Sequence, residues 1–469
     1  MNIIPCMTWV KKGVAATNPE KVELTPKELK NILKEKHSEL HGDLDEELGE
    51  ILEQESETKS HFDVLQSDEY QFEKYDEESG DIHCSIGNIT MFDTYEKDPL
   101  ITQDNDDDSE KDDDGIKSDD NLVLIGHVEG DASILEIYVY NETEDSFYCH
   151  HDILLSSFPL CIEWLNFDPT ESKPSNLCAI GNMTPIIEVW DLDLIDCLEP
   201  AYKLGHAVLD VAWNESYTHV LASGSVDRTV LLWDLENGTP VNKITSFNEK
   251  VQSIKWHPTE THQLLTGCAD KMVRLFDCRD QTVVKSWETS GEVERVLWNQ
   301  FDSNYCIAST NDGYMLYFDI RQDKPIWNIE AHTKEVTGLI LSTSCPGLLL
   351  TSANDGNIKV WDIVKHEEPV CVWEKKTKLG ALLCVASNPD NPFIFSAGGD
   401  NKSHNFQVFD FSKVTEIYKR FEGRIPRNNN HKEMMDITDD MESMILNNVN
   451  GSNTSLKRKK KLNKHLKSK

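Results

Sequence analysis

A histidine, a serine and an aspartate in the middle of the chain are of the types that hydrolytic chemistry requires. His206, Ser223 and Asp227 could supply a base, a nucleophile and an orienting carboxylate, and Trp233 follows ten residues after the serine. A serine nucleophile also needs an oxyanion site and an elbow such as G-x-S-x-G, and the sequence contains no such motif. The same residue types recur in the same order further along the chain, at His332, Thr351, Asp355 and Trp361. This recurrence indicates a repeated structural role, and we expect no enzyme.

A second run of reactive side chains, Cys149-His150-His151-Asp152, contains four types that ligate metals. Adjacent residues on a strand point to opposite faces, so these four cannot converge on one ion. The 12 cysteines of the chain are scattered singly, without a C-x-x-C pair. We therefore expect no metal, no cofactor and reduced thiols, as in a cytosolic or nuclear protein.

The elements that position these residues follow from an internal repeat. An aromatic residue followed by aspartate recurs at spacings of 43, 43, 42, 43 and 48, with the aromatic at Trp190, Trp233, Phe276, Phe318, Trp361 and Phe409. In four repeats a second aspartate lies six residues earlier, at Asp227, Asp270, Asp312 and Asp355. Each repeat predicts two strands joined by a tight turn, because aspartate favours turn geometry. Tyr140-Asn141 marks a weaker seventh repeat.

This pattern resembles the WD-repeat β-propeller, which has four strands per blade and ~40–45 residues per repeat. The resemblance implies an all-β, seven-bladed propeller over residues 121–424, in which the His, Ser/Thr, Asp and Trp side chains form a network that locks each blade. A second tryptophan series predicts the innermost strands, at Trp164, Trp213, Trp256 and Trp298. Trp9 lies in the same sequence context, so the segment 1–16 is predicted to supply the inner strand of blade one through residues 3–10.

The charge is concentrated at the two ends of the chain. The protein has 469 residues and a net charge of −37. Residues 17–120 hold 34 acidic and 10 basic residues, a net of −24, which predicts a disordered insertion. Within it, Thr25–Glu28 is a capping box that starts a short helix near residues 26–40. Ser109, in the same acidic segment, is a candidate site of phosphorylation by an acidophilic kinase.

The last segment, 425–469, is predicted to be a disordered tail. It ends in a basic localisation signal, Lys457, Arg458, Lys459, Lys460 and Lys461. The overall acidity argues against binding nucleic acid by broad phosphate neutralisation. No apolar run approaches the ~18 residues of a membrane span, so we expect no membrane partner. The N-terminus lacks the pattern of a secretion signal.

Two successive repeats carry an arginine two residues after the aspartate, at Asp277 and Arg279 and again at Asp319 and Arg321. This spacing resembles the box by which propeller proteins dock on the adaptor of cullin-RING ubiquitin ligases, where arginine would make charge-assisted contacts. The alternative is an arginine that pairs with a nearby loop carboxylate.

Several stretches resemble the periodic tryptophan protein 1 family of eukaryotic WD-repeat proteins: KVELTPKELK (21–30), FEKYDEESGD (72–81), SFYCHHDILLSSFPLCIEWLNFDP (146–169) and GNMTPIIEVWDLDLIDCLEP (181–200). The resemblance implies a nuclear, nucleolus-enriched, non-enzymatic scaffold, expected to be a monomer. Its implied roles are ribosomal RNA transcription and large-subunit precursor maturation, and its implied partners are ribosome-assembly proteins and particles that contain precursor ribosomal RNA. Thr184 lies six residues before Trp190, at the position where four other repeats have the turn aspartate. This difference makes GNMTP a candidate recognition loop.

Two alternatives belong to different functional classes. A chromatin-associated histone reader predicts an aromatic-lined, acid-rimmed pocket at the mouth of the propeller. A substrate receptor of a ubiquitin ligase predicts that Arg279 and Arg321 are both needed to bind the adaptor.

Overall fold

The structure is a computed structural model, and it describes residues 2–22, 115–169, 175–365 and 368–425. The chain divides into two compact units, Met1–Glu20 with Ile116–Lys469 and Lys21–Gly115. The first unit contains the propeller. Most of the acidic segment, the helix expected near 26–40, Ser109 and the basic tail lie outside the described residues.

The described strands follow one another around a ring. In chain order they are β1 (Asn2–Val10), β2 (Glu20–Lys21), β3 (Asn121–Glu129), β4 (Ala132–Asn141), β5 (Ser146–Leu154), β6 (Pro159–Leu165), β7 (Leu177–Asn182), β8 (Ile187–Asp191), β9 (Leu194–Ile195), β10 (Tyr202–Leu204), β11 (Val208–Trp213), β12 (Val220–Ser225), β13 (Val230–Asp234), β14 (Thr239–Ile244), β15 (Val251–Trp256), β16 (Gln263–Cys268), β17 (Met272–Asp277), β18 (Thr282–Glu288), β19 (Val293–Trp298), β20 (Tyr305–Thr310), β21 (Tyr314–Asp319), β22 (Trp327–Glu330), β23 (Gly338–Leu341), β24 (Leu348–Ser352), β25 (Asn357–Asp362), β26 (Val370–Lys376), β27 (Leu382–Ser387), β28 (Ile394–Gly399) and β29 (Phe406–Asp410).

Apart from the two-residue strands β2 and β9, these strands form seven antiparallel sheets, which confirms the seven-bladed propeller. From the axis outwards the blades are β1-β3-β4-β5, β6-β7-β8-β10, β11 to β14, β15 to β18, β19 to β22, β23 to β26 and β27-β28-β29. The second tryptophan series lies on the innermost strands, at Trp164, Trp213, Trp256 and Trp298. The aromatic-Asp pairs end the third strands. Because side chains alternate between the two faces of a strand, each blade buries apolar residues against both neighbours.

The N-terminal strand closes the ring. β1 pairs with β3 across an insertion of about 110 residues, in a register that runs from Asn2 opposite Glu129 to Val10 opposite Leu122. Trp9 is 5% exposed, and its Nε1 donates a hydrogen bond of 2.9 Å to Oγ of Ser396 in blade seven. The first strand of the chain therefore joins the first blade to the last.

The turns between the second and third strands explain the recurring aspartates. The residue after the turn aspartate adopts positive φ in four blades: Arg228 (67°), Lys271 (63°), Gly313 (93°) and Gly356 (79°). A Cβ on Gly313 would lie 2.2 Å from the carbonyl oxygen of His332, so glycine is required at that turn.

Among the described residues, blade seven has three strands where the other blades have four. After β29 the chain forms the helix α1 (Thr415–Phe421) between one-turn 3-10 helices at Phe411–Lys413 and Glu422–Arg424. Ile417 and Phe421 of α1 are fully buried in a cluster with residues of blades six and seven. Among the residues described, none of the helices has the length and apolar character needed to span a bilayer.

Candidate functional site

The hydrolase-like residues of blade three form a closed hydrogen-bonded network. Nδ1 of His206 lies 2.8 Å from Oγ of Ser223, and the indole Nε1 of Trp233 donates to the same oxygen at 2.9 Å. Oδ2 of Asp227 is 3.7 Å from Nε2 of the histidine. Because Ser223 is fully buried and both hydrogen bonds converge on its hydroxyl, this oxygen is not available to attack a substrate.

Blade six repeats the network with threonine in place of serine. Nε2 of His332 lies 2.8 Å from Oγ1 of Thr351, and Trp361 donates to that oxygen at 2.9 Å. Nδ1 of His332 is 3.2 Å from Oδ2 of Asp355. The imidazole binds the hydroxyl through Nε2 here and through Nδ1 in blade three, so the two blades use the same residue types with opposite ring orientations.

The other repeats use different side chains for the same task. In blade four, Arg274 forms a two-point ion pair with Asp270, with distances of 2.9 and 2.6 Å. In blade five, Oγ1 of Thr310 donates to Asp312 at 2.5 Å. Hydrogen bonds and ion pairs of this kind fix the turns at the blade edges.

Blade two contains a buried carboxylate that the repeat analysis did not identify. Glu188 is 2% exposed and accepts hydrogen bonds from Trp190 Nε1 at 3.2 Å and Ser156 Oγ at 2.5 Å. A charged residue two positions before Trp190, in a strand that is otherwise buried, is the signal that could have identified it. In the GNMTP loop, Met183 is 68% exposed, while Oγ1 of Thr184 is buried without a hydrogen-bond partner.

Burial of His332 predicts a pH-dependent stability. Desolvation lowers the pKa of His332, although Asp355 opposes this shift. The unfolded chain therefore binds more protons than the folded chain below the ordinary histidine pKa of about 6.5. We expect the contribution of His332 to the free energy of unfolding to be largest above that pH and to decrease as the pH drops from 7 to 5. Glu294, whose pKa burial raises to about 7, contributes a slope of the opposite sign.

Urea denaturation at pH 7 and pH 5 tests this expectation. His332→Gln should lower stability at pH 7, because it breaks the hydrogen bond to Thr351, and it should reduce the pH slope. Burial also lowers the pKa values of His206 and His257, so part of the slope should remain. An unchanged slope in the variant would show that His332 does not titrate as its burial requires.

The Cys149–Asp152 run lies on the outer strand β5, where strict alternation of side chains fails. A register shift in the β4–β5 pairing places Cys149 opposite Tyr138 and His151 opposite Ile137. The Nδ1 atoms of His150 and His151 consequently lie 2.9 Å apart. Burial lowers the pKa of His151 to about 4, and the neighbouring His150 makes a smaller contribution in the same direction. Within the described residues, no group of three or more His, Cys, Asp or Glu side chains is arranged to hold a metal ion.

Each arginine of the two Asp-x-Arg boxes binds the aspartate of its own box. Arg279 reaches Asp277 at 3.1 and 2.7 Å, and Arg321 reaches Asp319 at 2.7 and 2.8 Å. The pKa of each aspartate is lowered to about 2, chiefly by the hydrogen bond from its arginine. The side chains of Arg279 and Arg321 are 65% and 59% exposed, so both guanidinium groups lie at the surface of neighbouring blades. Whether they dock an adaptor stays a prediction.

The innermost strands enclose an axial cavity of about 270 Å³. Four charged residues line it, and sequence reasoning missed them: Glu163, Asp210, Lys255 and Arg295. Lys255 Nζ lies 3.4 Å from Glu163 Oε2, Arg295 Nε donates to the carbonyl of Thr337 at 3.1 Å, and burial raises the pKa of Glu163. The formal charges of the two acidic and two basic side chains cancel, and among the described residues Trp9 is the one aromatic residue that lines the cavity.

The fold agrees with comparisons to known proteins. A family model described as the nucleolar protein 10-like N-terminal domain, a β-propeller, matches residues 201–414. A chain in the crystal structure of the mitotic checkpoint complex shares the fold, with a TM-score of 0.51, 18% identity and coverage of 62% of this chain and 84% of that chain. At that level of identity the likeness concerns the fold alone.

Full-length relatives are more informative. The periodic tryptophan protein 1 homolog of Drosophila melanogaster is 40% identical over 451 residues, which is 90% of this chain and 96% of that protein. An uncharacterised WD repeat-containing protein of Schizosaccharomyces pombe is 31% identical, covering 92% and 93%, and periodic tryptophan protein 1 of Saccharomyces cerevisiae is 28% identical, covering 89% and 90%. With seven WD-type blades and this extent of similarity, the chain belongs to the periodic tryptophan protein 1 family of WD-repeat proteins.

Proposed function

We propose that this chain is a non-enzymatic nucleolar scaffold of ribosome biogenesis, acting in ribosomal RNA transcription or large-subunit precursor maturation. The observation that carries the proposal is the 40% identity over nearly the whole chain to a periodic tryptophan protein 1 homolog. The match of residues 201–414 to a nucleolar protein 10-like domain supports the nucleolar assignment. The partners are ribosome-assembly proteins and particles that contain precursor ribosomal RNA.

The chemistry of the blades supports a scaffold rather than an enzyme. The two residue sets that resemble catalytic triads are occupied in hydrogen bonds that join strands, with distances of 2.8–2.9 Å at Ser223 and Thr351. A ring of sheets fixed in this way presents rigid faces and rims to several partners at once. The axial cavity, with balanced charges and one tryptophan, does not favour the histone-reader alternative over the scaffold.

Sedimentation of the tagged protein from nuclear extract, with and without RNase, tests the proposal. We expect the protein to sediment with large particles whose RNA is precursor ribosomal RNA, and to shift to light fractions after RNase treatment. A variant with the bases of residues 457–469 replaced by glutamine, directed to the nucleus by an added signal, separates localisation from particle binding. Small RNase-insensitive complexes that carry histones would contradict the proposal and favour a chromatin role.

A further inference from the structure

Among the described residues, the outer edge of blade seven is a strand without a fourth partner. In the other six blades a fourth strand covers the third, whereas β29 is seen paired with β28 alone in the part of the chain that the structure describes. Gly399 N donates a hydrogen bond to Asn405 O at 2.8 Å. This bond identifies which residues of β29 hydrogen-bond to β28 and which alternate residues face outwards. The N–H and C=O groups of Phe406 and Val408 then point away from β28. An edge of this kind is a template for one further strand.

An aromatic wall stands beside this edge on blade one. Tyr138 stacks on Phe147 with ring centroids 4.7 Å apart, and Phe147 stacks on Phe406 at 5.6 Å. Tyr140 contacts Phe147 edge-on at 6.4 Å. Phe147 is 40% exposed, although three other rings surround it. We define the aromatic groove as these four residues together with Val408.

The groove is acidic at its rim. Glu142 and Asp145 lie in the turn between β4 and β5, next to the paired residues Tyr140 and Phe147, and Asp410 ends β29. Burial raises the pKa of Tyr140 to about 12, and these three carboxylates add to the shift. Glu142 and Asp145 are exposed. Lys413 offsets one of these charges, through an ion pair of 3.1 Å with Asp410. A cluster of one exposed and three half-buried aromatic rings with an acidic rim suits an extended, basic segment, because cations bind ring faces as well as carboxylates.

We propose that residues 455–469 of this chain occupy the aromatic groove and add a fourth strand to β29. This segment holds eight basic residues from Lys457 to Lys469, no acidic residue, and the apolar residues Leu456, Leu462 and Leu466. The acidic segment 17–120 carries the wrong charge for the rim.

The length of the connection permits this return. The last described residue, Ile425, lies 15 positions after Asp410, the end of β29. Ser455 lies 30 positions further along the chain. A flexible chain of that length spans about 30 Å, and a tethered segment acts at an effective concentration of about a millimolar. Docking would cover the bases predicted as the localisation signal, so occupation of the groove and exposure of the signal exclude each other.

Hydrogen–deuterium exchange on the full-length protein tests the proposal. The comparison is with a full-length variant in which the eight bases of residues 457–469 are replaced by glutamine. We expect the amides of Phe406 and Val408 to exchange at least about tenfold more slowly in the native chain than in the variant. Equal exchange rates in the two chains would overturn the proposal, and unchanged rates in β11–β14 would show that both are folded.

Groove variants in the native chain supply the matched test. Two variants are compared: Phe147→Ala, and a double variant that combines Glu142→Lys with Asp145→Lys. Each should accelerate amide exchange at Phe406 and Val408, as neutralisation of the tail does. Two variants serve as controls. Tyr217→Ala removes a ring that is 50% exposed on blade three, and Glu236→Lys reverses an exposed charge on the same blade. Neither variant should change the exchange rates of Phe406 and Val408. Protection that survives in the groove variants would overturn the proposal.

A labelled synthetic peptide of residues 455–469 distinguishes the native tail from other occupants. It should bind the tail-neutralised protein at least about tenfold more tightly than the native protein, because the native groove is filled, and added salt should weaken binding. Equal affinity for both proteins would mean that the tail does not occupy the groove.

Discussion

Replacing Trp9 with alanine should lower the melting temperature of the protein by about 10 °C. Large-to-small substitutions of buried aromatic residues cost about 3–5 kcal/mol, and each kcal/mol lowers Tm by roughly 2–4 °C in domains of 150–250 residues. Trp9 is 5% exposed and joins the first strand to Ser396 in the last blade. The substitution leaves a cavity at the closure of the ring, so its effect should exceed that of a similar change on an outer strand. Thermal unfolding followed by circular dichroism measures it.

Two further variants make this result specific to ring closure. Trp9→Phe keeps most of the buried volume but loses the hydrogen bond to Ser396, so it should cost about 1–2 kcal/mol. Deleting residues 2–10 removes the ladder with β3 as well as the side chains, and should be more damaging than Trp9→Ala. A melting temperature unchanged by this deletion would mean that β1 does not complete the first blade.

Asp362→Ala should release the C-terminal helix α1 from blade six. Asp362 is 6% exposed and accepts hydrogen bonds from Arg424 at 2.7 and 2.6 Å and from Arg420 at 2.6 Å. The substitution leaves two guanidinium groups without their carboxylate. Breaking a buried ion pair costs about 3–5 kcal/mol. Because Arg420 is 46% exposed, solvent reduces this penalty, and we expect a loss of about 2–4 kcal/mol.

The matched control is the same motif position in another blade. Asp234 follows Trp233 as Asp362 follows Trp361, but its carboxylate accepts hydrogen bonds from Glu236 N and Asn237 Nδ2 within its own turn. Asp234→Ala should therefore cost less than Asp362→Ala in urea denaturation. Hydrogen exchange in α1 should increase in the Asp362 variant alone. If α1 retains its protection there, the two arginines do not hold the helix in place.

The periodicity of the sequence predicts the seven blades because each blade repeats the same local requirements. A turn aspartate, a small-residue strand and an aromatic residue recur within each unit, and these choices depend on neighbours that are close in sequence. Trp9 could be placed in the inner-strand series by its context alone. The paired use of His206 with Ser223, and of His332 with Thr351, follows from the resemblance to WD repeats.

Other features depend on contacts between residues far apart in the chain. Glu188 replaces the histidine network of its blade, and its partner Ser156 lies 32 residues away. Arg424 and Asp362 are 62 residues apart, so no local pattern predicts their pairing. The register shift in β5 brings His150 and His151 together, although strict alternation of side chains would separate them.

The sequence by itself determined the fold class, the number of blades and the family, because these are properties of a repeated local pattern and of similarity along the whole chain. The tertiary structure decided how the ring closes through β1, that the described part of blade seven leaves the outer edge of β29 uncovered, and which charges meet along the axis. These features arise where the two ends of the propeller meet and where the innermost strands converge. Side chains separated by up to 403 positions come into contact there, and the pairing of such distant residues is set by packing rather than by sequence spacing.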